Sequence, residues 1–421
     1  MENNHRSVGL YAPHCVGVWQ SATNESPGCG VDFPRDVSTY MPISVGIFAN
    51  RIKNKQNYYW PYPRDNEWLK ESFRAAKELG IDLFVFSYND VRKTAGRIQG
   101  RFYNKKWEKK LVPFPDVVYD RYLLNTVTRT NKAEELANSL IGQRVKWFNR
   151  YEIIKLSGQK GETAKFLRKH GIKHPETIFQ PTARQLLEML HRHNTVYYKP
   201  VLRGGGWGII IFRKTGKYTA AFKEPGGHGK WKQVRKVIAK KNFGIWMSEI
   251  KKRLARKGAL IKATEPYIAQ QGISFLEYKK RSTDIRAFFQ RTGKGRPKVL
   301  LASRFGGNID QGGNVEDIDL VLKDFQKSGV SRKVLRRRIL AVVMKTLRAL
   351  EDRFGYIGEL GLDLGIDEKG QVWVIELNGR PWKGIFRRLA KKYPEKRRKY
   401  LKLREDAIRA PLLYAKYLKT S

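Results

Sequence analysis

The chain lacks several features that define other classes of protein. It has only two cysteines, Cys15 and Cys29, in 421 residues, which excludes a disulfide scaffold and favours a reduced, intracellular protein. No apolar run approaches the length of a membrane span. The polar start, Met1-Glu2-Asn3-Asn4-His5, has no basic-then-apolar layout, so export by a signal peptide is not expected. Zinc-finger, RNA-recognition and helix-turn-helix signatures are also missing.

Acidic residues are scarce as well. There are 39 of them against 84 lysines and arginines, which gives a net charge of +45. A field of this size attracts polyanions from a distance. Anionic polymers, acidic proteins, nucleic acid and membrane surfaces all fit it. Because no nucleic-acid recognition motif is present, we expect nucleic acid to bind only non-specifically.

Strands and helices alternate along the part of the chain that follows residue 40. A short apolar strand at residues 43–48 precedes a helix that begins near Asn66, and further strands follow near residues 83 and 116. This alternation predicts an α/β fold with a mostly parallel, three-layer sheet. We divide the chain into a loosely ordered lead-in (1–40), a first α/β domain (41–147), a second unit (148–384) and a basic helical C-terminal tail (385–421).

A late hairpin carries the most informative residues. Two apolar strands flank a turn at Glu368-Lys369-Gly370, and the period of two along a strand puts Asp363, Glu376 and Asn378 on one face. Two carboxylates facing each other are destabilising, whereas carboxylate and amide oxygens are ligands that Mg²⁺ takes. The sequence therefore predicts a magnesium site. The alternative is a solvent-facing hairpin whose carboxylates are kept apart, which leaves its apolar neighbours unexplained.

A glycine-rich loop follows another predicted strand. Lys199 ends that strand, and Gly204, Gly205 and Gly206 precede the next one. The loop is neither a Walker A loop nor a dinucleotide fingerprint, because a strand rather than a helix follows it. Backbone N–H groups of such a loop can cradle phosphates, and the lysine supplies a point charge. The alternative is a flexible turn with an incidental lysine.

The order of these elements resembles the ATP-grasp superfamily. A lysine before a glycine-rich hairpin, the segment Glu265-Pro266-Tyr267-Ile268-Ala269-Gln270-Gln271 and the Asp…Glu-x-Asn set match it over about residues 148–384. A narrower resemblance, to the YheC/YheD family of endospore coat-associated proteins, rests on Asn149-Arg150-Tyr151-Glu152, Thr283-Asp284-Ile285-Arg286 and Glu376-Leu377-Asn378-Gly379-Arg380-Pro381. It implies an ATP-grasp fold of two subdomains with the nucleotide between them, preceded by a Rossmann-like α/β pre-domain.

The resemblance also implies a role for each matching position. The implied nucleotide contacts are Lys199 and the glycines at the phosphates, Glu265 at the adenine amino group, the Ile268 backbone at the adenine edge and Gln271 at the ribose. Arg150 stands where many ATP-grasp enzymes have a nucleotide-binding lysine, and Lys155 is a possible substitute. The implied catalytic residues are Arg286 near the γ-phosphate and Arg304 and Asn308 at the acceptor side. Asp363, Glu376 and Asn378 are the implied ligands of magnesium.

The function implied is that of an Mg²⁺- and ATP-dependent, ADP-forming carboxylate–amine ligase that works through an acyl-phosphate on a peptide, cell-envelope or spore-coat precursor. Its co-substrates are a carboxylate and an amine, and an acidic peptide suits the charge. The alternatives are a non-catalytic ATP-binding coat protein, held by its charge to an anionic polymer or to spore coat proteins, and a nucleic-acid-binding protein. A non-catalytic protein would be expected to have lost one of the site residues, and none is lost. The implied location is the mother-cell cytoplasm, with association to the endospore coat.

Overall fold

The structure, a computed structural model, describes residues 42–50, 66–122, 127–201, 208–225, 231–256, 264–305 and 314–421. The predicted lead-in, the glycines 204–206 and Asn308 lie outside these residues. The described residues form three sheets that follow one another along the chain. Within these ranges, no helix combines the length and the apolar character that crossing a bilayer requires.

The first sheet comes from residues 43–148 and has helices on both faces. Its elements are β1 Ile43–Phe48, α1 Asn66–Glu78, β2 Ile81–Phe86, β3 Val91–Arg92, β4 Arg97–Asn104, β5 Lys106–Pro113, β6 Val117–Asp120, α2 Val127–Ile141 and β7 Lys146–Phe148. The strand order is β3-β4-β2-β1-β6-β7, with β5 paired to β4. Strands β2, β1, β6 and β7 are mutually parallel, which agrees with the predicted mostly parallel sheet. The antiparallel β4–β5 hairpin was not predicted.

The second sheet is antiparallel and contains the strand that ends near Lys199. Its elements are α3 Tyr151–Gly158, α4 Lys160–Lys169, β8 Thr177–Phe179, α5 Ala183–His193, β9 Thr195–Pro200, β10 Ile210–Thr215, β11 Lys217–Pro225, β12 Trp231–Ile238, α6 Phe243–Arg256 and β13 Tyr267–Gln271. The order is β12-β11-β10-β9-β13-β8. Thr182 caps α5 through a capping box with Gln185, an arrangement that a Thr-x-x-Gln sequence favours at a helix start. Helices α5 and α6 pack on the sheet through an apolar cluster that includes Leu186, Met189 and Phe243.

The third sheet is also antiparallel and carries the carboxylate hairpin. Its elements are β14 Glu277–Tyr278, β15 Arg281–Arg291, β16 Pro297–Phe305, β17 Asn314–Glu316, α7 Ile318–Phe325, α8 Arg332–Phe354, β18 Glu359–Ile366, β19 Val372–Asn378, α9 Gly384–Lys392 and α10 Arg397–Thr420. The order is β17-β16-β15-β18-β19, with β14 paired to β15. The predicted apolar face of α8, including Leu335, Ile339 and Val343, packs against one face of this sheet.

The C-terminal helix α10 contributes to the core of the first sheet. Its residues Ile408, Leu412 and Leu418 share an apolar cluster with Val45 of β1 and Leu69 of α1. Residues at the two ends of the described chain therefore build one core. The predicted basic tail is helical, and its apolar side is buried.

Candidate functional site

The hairpin of β18 and β19 brings its two acidic residues face to face. Asp363 pairs directly with Glu376, and Gly361 pairs with Asn378. The register shifts after Asp363, so that Ile375 is an extra residue on β19. The turn falls at the predicted place: Gly370 has φ +68°, and its N–H donates to the carbonyl oxygen of Asp367 at 2.8 Å. The period of two then puts Asp363, Glu376 and Asn378 on one face of the sheet.

Two arginines from neighbouring strands hold Asp363. Arg286, which pairs with Asp363 in the register of β15 and β18, donates to both carboxylate oxygens, with Nη2 at 2.9 Å from Oδ2. Arg304 of β16 lies 2.8 Å from Oδ2. Burial alone would raise the pKa of Asp363, but the two guanidinium groups outweigh it and hold this pKa below its usual range. The electrostatic repulsion predicted between the two facing carboxylates is therefore reduced, because the two arginines neutralise the charge of Asp363.

A second buried acid, Asp284, completes this ion-pair network. It lies opposite Arg304 in the register of β15 and β16, and Arg304 donates to its two carboxylate oxygens at 2.8 and 2.7 Å. Burial raises the pKa of Asp284 to about 6. Asp284 and Arg286 are two residues apart in a strand and so share a face. This Asp-x-Arg alternation is a signal from which the sequence could have identified Asp284.

Glu376 faces lysines rather than arginines. It lines a cavity of about 30 Å³ together with Lys160, Lys199 and Gln270, and the Nζ of Lys199 donates to Oε1 of Gln270 at 2.7 Å. Burial, together with the charge of Asp363, raises the pKa of Glu376, while the charges of Lys160 and Lys199 oppose this rise. The structure thus brings Lys199, predicted from a separate motif, to the same cavity as the hairpin carboxylate.

The hairpin presents oxygen ligands of the kind that a hard divalent cation takes, although arginines hold both oxygens of Asp363 in this structure. Among the described residues, the buried Nδ2 of Asn378 has no hydrogen-bond partner, and Glu376 lines the cavity beside Lys160 and Lys199. A buried carboxylate with a raised pKa beside a second carboxylate gains from a cation between them. When bound, Mg²⁺ would neutralise phosphate charge at this position. Glu376, Asn378 and Asp363 are the residues that would hold it.

The residues predicted to contact adenine and ribose lie on or next to β13. Glu265 precedes the strand, and its charge acts on Lys251 of α6. Ile268 is fully buried and pairs with Lys199 on one side and Phe179 on the other. Its backbone therefore lies inside the sheet, a position that does not favour the predicted contact with adenine. Oε1 of Gln271 accepts a hydrogen bond from the backbone N–H of Glu176 at 3.2 Å.

The two candidates for a second nucleotide-binding cation do not line the cavity. Arg150 precedes α3, and its guanidinium donates to the carboxylate of Glu152 at 2.5 and 3.2 Å. Lys155 lies on the exposed side of α3. Lys160, at the start of α4, lines the cavity instead. Sequence reasoning missed Lys160 because nothing in its local pattern distinguishes it from the many other lysines.

A second buried charge cluster lies further along the same strand. Glu359 is fully buried and accepts hydrogen bonds from Lys383 at 2.7 Å and from Arg121 at 2.5 Å. The hydroxyl of Tyr119 and the side-chain amide of Gln290 also donate to it. Despite full burial, which would raise it, the pKa of Glu359 is lowered by the two cations. These contacts tie β6 of the first sheet to β18 of the third.

Asp120, at the end of β6, makes the stability of the fold pH-dependent. Its carboxylate accepts from the Tyr122 N–H at 2.8 Å, and burial raises its pKa to about 7. The folded protein therefore retains a proton that the unfolded chain releases near pH 4. Because of this, the free energy of unfolding falls as the pH rises from about 4 to 7. The loss is roughly 1.4 kcal/mol for each unit by which the two pKa values differ. We expect Asp120→Asn, which resembles the protonated form, to gain stability over the parent as the pH rises through this interval in urea unfolding.

The exposed Asp82 of β2 offers a matched control for this prediction. Asp82→Asn should leave the pH profile of unfolding unchanged. If Asp120→Asn and the parent lost stability in parallel between pH 4 and 7, Asp120 would not be the titrating group.

The sheets and the hairpin site define an ATP-grasp protein. A sequence model described as YheC/D like ATP-grasp matches residues 144–418. The chain therefore belongs to the YheC/D-like ATP-grasp family, as its motifs predict.

Two proteins of Bacillus subtilis (strain 168) are similar to it. Endospore coat-associated protein YheD is 27% identical over 326 residues, which cover 74% of this chain and 66% of YheD. Endospore coat-associated protein YheC is 23% identical over 371 residues, which cover 84% of this chain and 92% of YheC.

Two solved structures show a more distant likeness. A RiPP-associated ATP-grasp ligase from Chryseobacterium gregarium, in complex with ADP and a leader and core peptide, has 15% identity and a TM-score of 0.46 over 89% of this chain and 97% of its own. The ADP complex of an N5-carboxyaminoimidazole ribonucleotide synthetase has 13% identity and a TM-score of 0.46 over 81% of this chain and 71% of its own.

Proposed function

We propose that this protein is an Mg²⁺- and ATP-dependent, ADP-forming carboxylate–amine ligase. The observation that carries the proposal is the cavity where Lys199 and Gln270 of the second sheet meet Lys160 and Glu376, with Asp363 opposite Glu376. A triphosphate between the second and third sheets would meet lysines on one side and the hairpin on the other. The proposed ATP-grasp domain spans residues 148–384, after an α/β pre-domain at 41–147.

The residues of the chain suggest how such a reaction would be supported. Lys199 and Lys160 provide positive charge for phosphate oxygens, and the backbone of residues 204–206 is the proposed cover. Arg286 is the proposed contact of the transferred phosphoryl group, and Arg304 and Asn308 are proposed for the acceptor side. A substrate carboxylate oxygen would attack the γ-phosphorus and release ADP; an amine would then attack the acyl carbon and release phosphate. This chemistry depends on positioning and charge neutralisation rather than on a protein nucleophile.

A second candidate is an ATP-binding protein without ligase activity that is associated with the endospore coat. The similarity to YheC and YheD, which are described as endospore coat-associated proteins, favours the coat association, and the charge of +45 suits an anionic assembly. In this case we propose the mother-cell cytoplasm and the coat as its locations, as for the ligase. The two candidates differ in one measurable property, which is the release of ADP.

We expect ADP release when Mg·ATP is supplied together with an acidic peptide and an amine, and a product joined by an amide bond in mass spectrometry.

Lys160→Gln should weaken the apparent affinity for ATP by roughly tenfold, because a charged contact to phosphate is lost. Lys165→Gln on the exposed side of α4, where Lys165 pairs with Glu162 at 2.9 Å, is the control. Tight ATP binding without ADP release, across carboxylates and amines, would favour the non-catalytic candidate.

A further inference from the structure

A second, larger cavity lies where α1, α9, α10 and the residue that follows β6, Arg121, meet. Its volume is about 480 Å³, a size typical of small-ligand sites, which range over roughly 300–1,000 Å³. The basic side chains that line it come from different parts of the chain. They are Arg121, Lys383, Arg387, Arg388, Lys391 and Arg404.

The acidic residues at this cavity do not balance its positive charge. Glu67 contacts Arg387, and Glu71 lies 2.8 Å from Arg404 and 3.2 Å from Arg387. The buried Glu359 accounts for the remaining counter-charge through its contacts with the two innermost cations, Arg121 and Lys383. Leaving Arg388 aside, three carboxylates thus stand against five basic groups at the cavity among the described residues. The surplus is positive.

The crowding of like charges is visible in two of these groups. Burial and the neighbouring arginines lower the pKa of Lys383 to about 8, although Glu359 opposes the change. Burial, followed by the charge of Arg404, lowers the pKa of Arg387. Protonated cations held close together gain from an anion among them. The cavity therefore favours an anionic ligand.

The walls of the cavity suit an organic anion. Trp68 and Trp382 line it, and the guanidinium of Arg388 lies 4.8 Å from the Trp382 ring. Helix α9 begins at Gly384 on the cavity wall, and no described side chain caps this end. Its first N–H groups add to the positive potential. A Cβ at Gly384 would collide with the Trp382 indole, so a side chain at this position would displace that wall.

The position of the cavity relates it to the hairpin site. Glu359, which holds two of the lining cations, and Asp363 lie on β18 with their side chains on the same face. Four residues of strand correspond to about 13 Å. An extended peptide covers the same distance with about four residues. The inner end of the cavity, where Arg121 and Lys383 contact Glu359, is thus about four strand residues from Asp363.

We propose that this basic pocket binds an acidic peptide and holds it as the carboxylate co-substrate. The assignment rests on the proposed ligase function, which it deepens by naming a substrate class and an anchoring site. Carboxylates of the peptide pair with Arg387, Arg388 and Lys391, and a carboxylate about four residues away is the one activated. The pocket acts in positioning and takes no part in the chemical step.

The test is direct binding of acetylated tetraglutamate to the full chain, without ATP or Mg²⁺, by calorimetry. Arg387 and Lys391 are exposed lining residues, so Arg387→Gln with Lys391→Gln should fold as the parent does. We expect this double variant to bind the peptide roughly tenfold more weakly. The control is Arg398→Gln with Lys399→Gln, an equal loss of charge at exposed positions of α10 outside the pocket lining. It should bind as the parent does.

Each other outcome has a definite meaning. Equal loss in the two double variants would show attraction by the overall charge and overturn the pocket, as would equal binding of tetraglutamine. An oligonucleotide of the same charge that displaces the peptide at lower concentration would assign the pocket to nucleic acid. The binding assay omits ATP and therefore does not depend on ligase activity. Binding that depends on the pocket, together with no ADP release in the separate ligase assay, would contradict the ligase function and leave the pocket supported. ADP release that is unaffected by Arg387→Gln with Lys391→Gln would contradict the proposed role of the pocket and leave the ligase function supported.

Discussion

Asp363→Asn combined with Glu376→Gln is expected to abolish the Mg²⁺-dependent binding of ATP. The two substitutions keep the shape of the side chains and remove both carboxylates that face each other across β18 and β19. Substitutions that only surround a metal ligand already cost about 10- to 100-fold in affinity, so we expect a loss of more than about 100-fold here. Calorimetric titration with ATP, in the presence of Mg²⁺ or of a chelator, measures it.

Asp284→Asn provides the matched control for this experiment. Asp284 is a buried carboxylate of the same ion-pair network, and it contacts Arg304, but it is not a proposed ligand. This variant should bind Mg·ATP nearly as well as the parent. If the double variant bound Mg·ATP as tightly as the parent, the proposed magnesium site would be wrong. A loss of ATP binding in Asp284→Asn as well would show that the arginine network, rather than the metal, holds the nucleotide.

Glu359→Gln should produce the largest loss of stability among single substitutions at the buried charges. The change leaves Arg121 and Lys383 buried without their counter-charge, and their side chains are only 5% and 4% exposed. Breaking a buried ion pair by removing one partner costs about 3–5 kcal/mol. Denaturant unfolding monitored by tryptophan fluorescence gives the change in the free energy of unfolding. The exposed pair of Arg184 and Glu188 supplies the control, since Glu188→Ala should cost less than about 1 kcal/mol.

The pH dependence of this loss tests the cause. The pKa of Lys383 is about 8 while Glu359 is present, and it falls further once the carboxylate is gone. At pH 9 the lysine of the variant is neutral, so Lys383 no longer adds a buried positive charge. We therefore expect a smaller difference from the parent at pH 9 than at pH 6. A difference that stays constant over this range would point to lost packing instead of uncompensated charge.

Local sequence pattern was sufficient for the elements that carry the site. The turn at Glu368-Lys369-Gly370 and the period of two in its strands predicted that Asp363 and Glu376 share a face, opposite or diagonal to each other, because strand alternation is set within a few residues. The structure decided for the direct pair. Local pattern likewise favours the Thr182 cap. The antiparallel hairpin at 97–113 was missed because its turn has Lys105 at φ +60°, where a glycine would have signalled a turn.

The amino-acid sequence by itself determined the family, the hairpin and the lysine that ends β9, since each of these is written in a short stretch of neighbouring residues. The tertiary structure decided which charges meet. Arg286 and Asp363 are 77 positions apart, Arg121 and Glu359 are 238 positions apart, and the basic pocket combines Arg121 with residues of α9 and α10. Such pairs form only when packing buries the strands that carry them, because burial removes the water that would otherwise screen each charge.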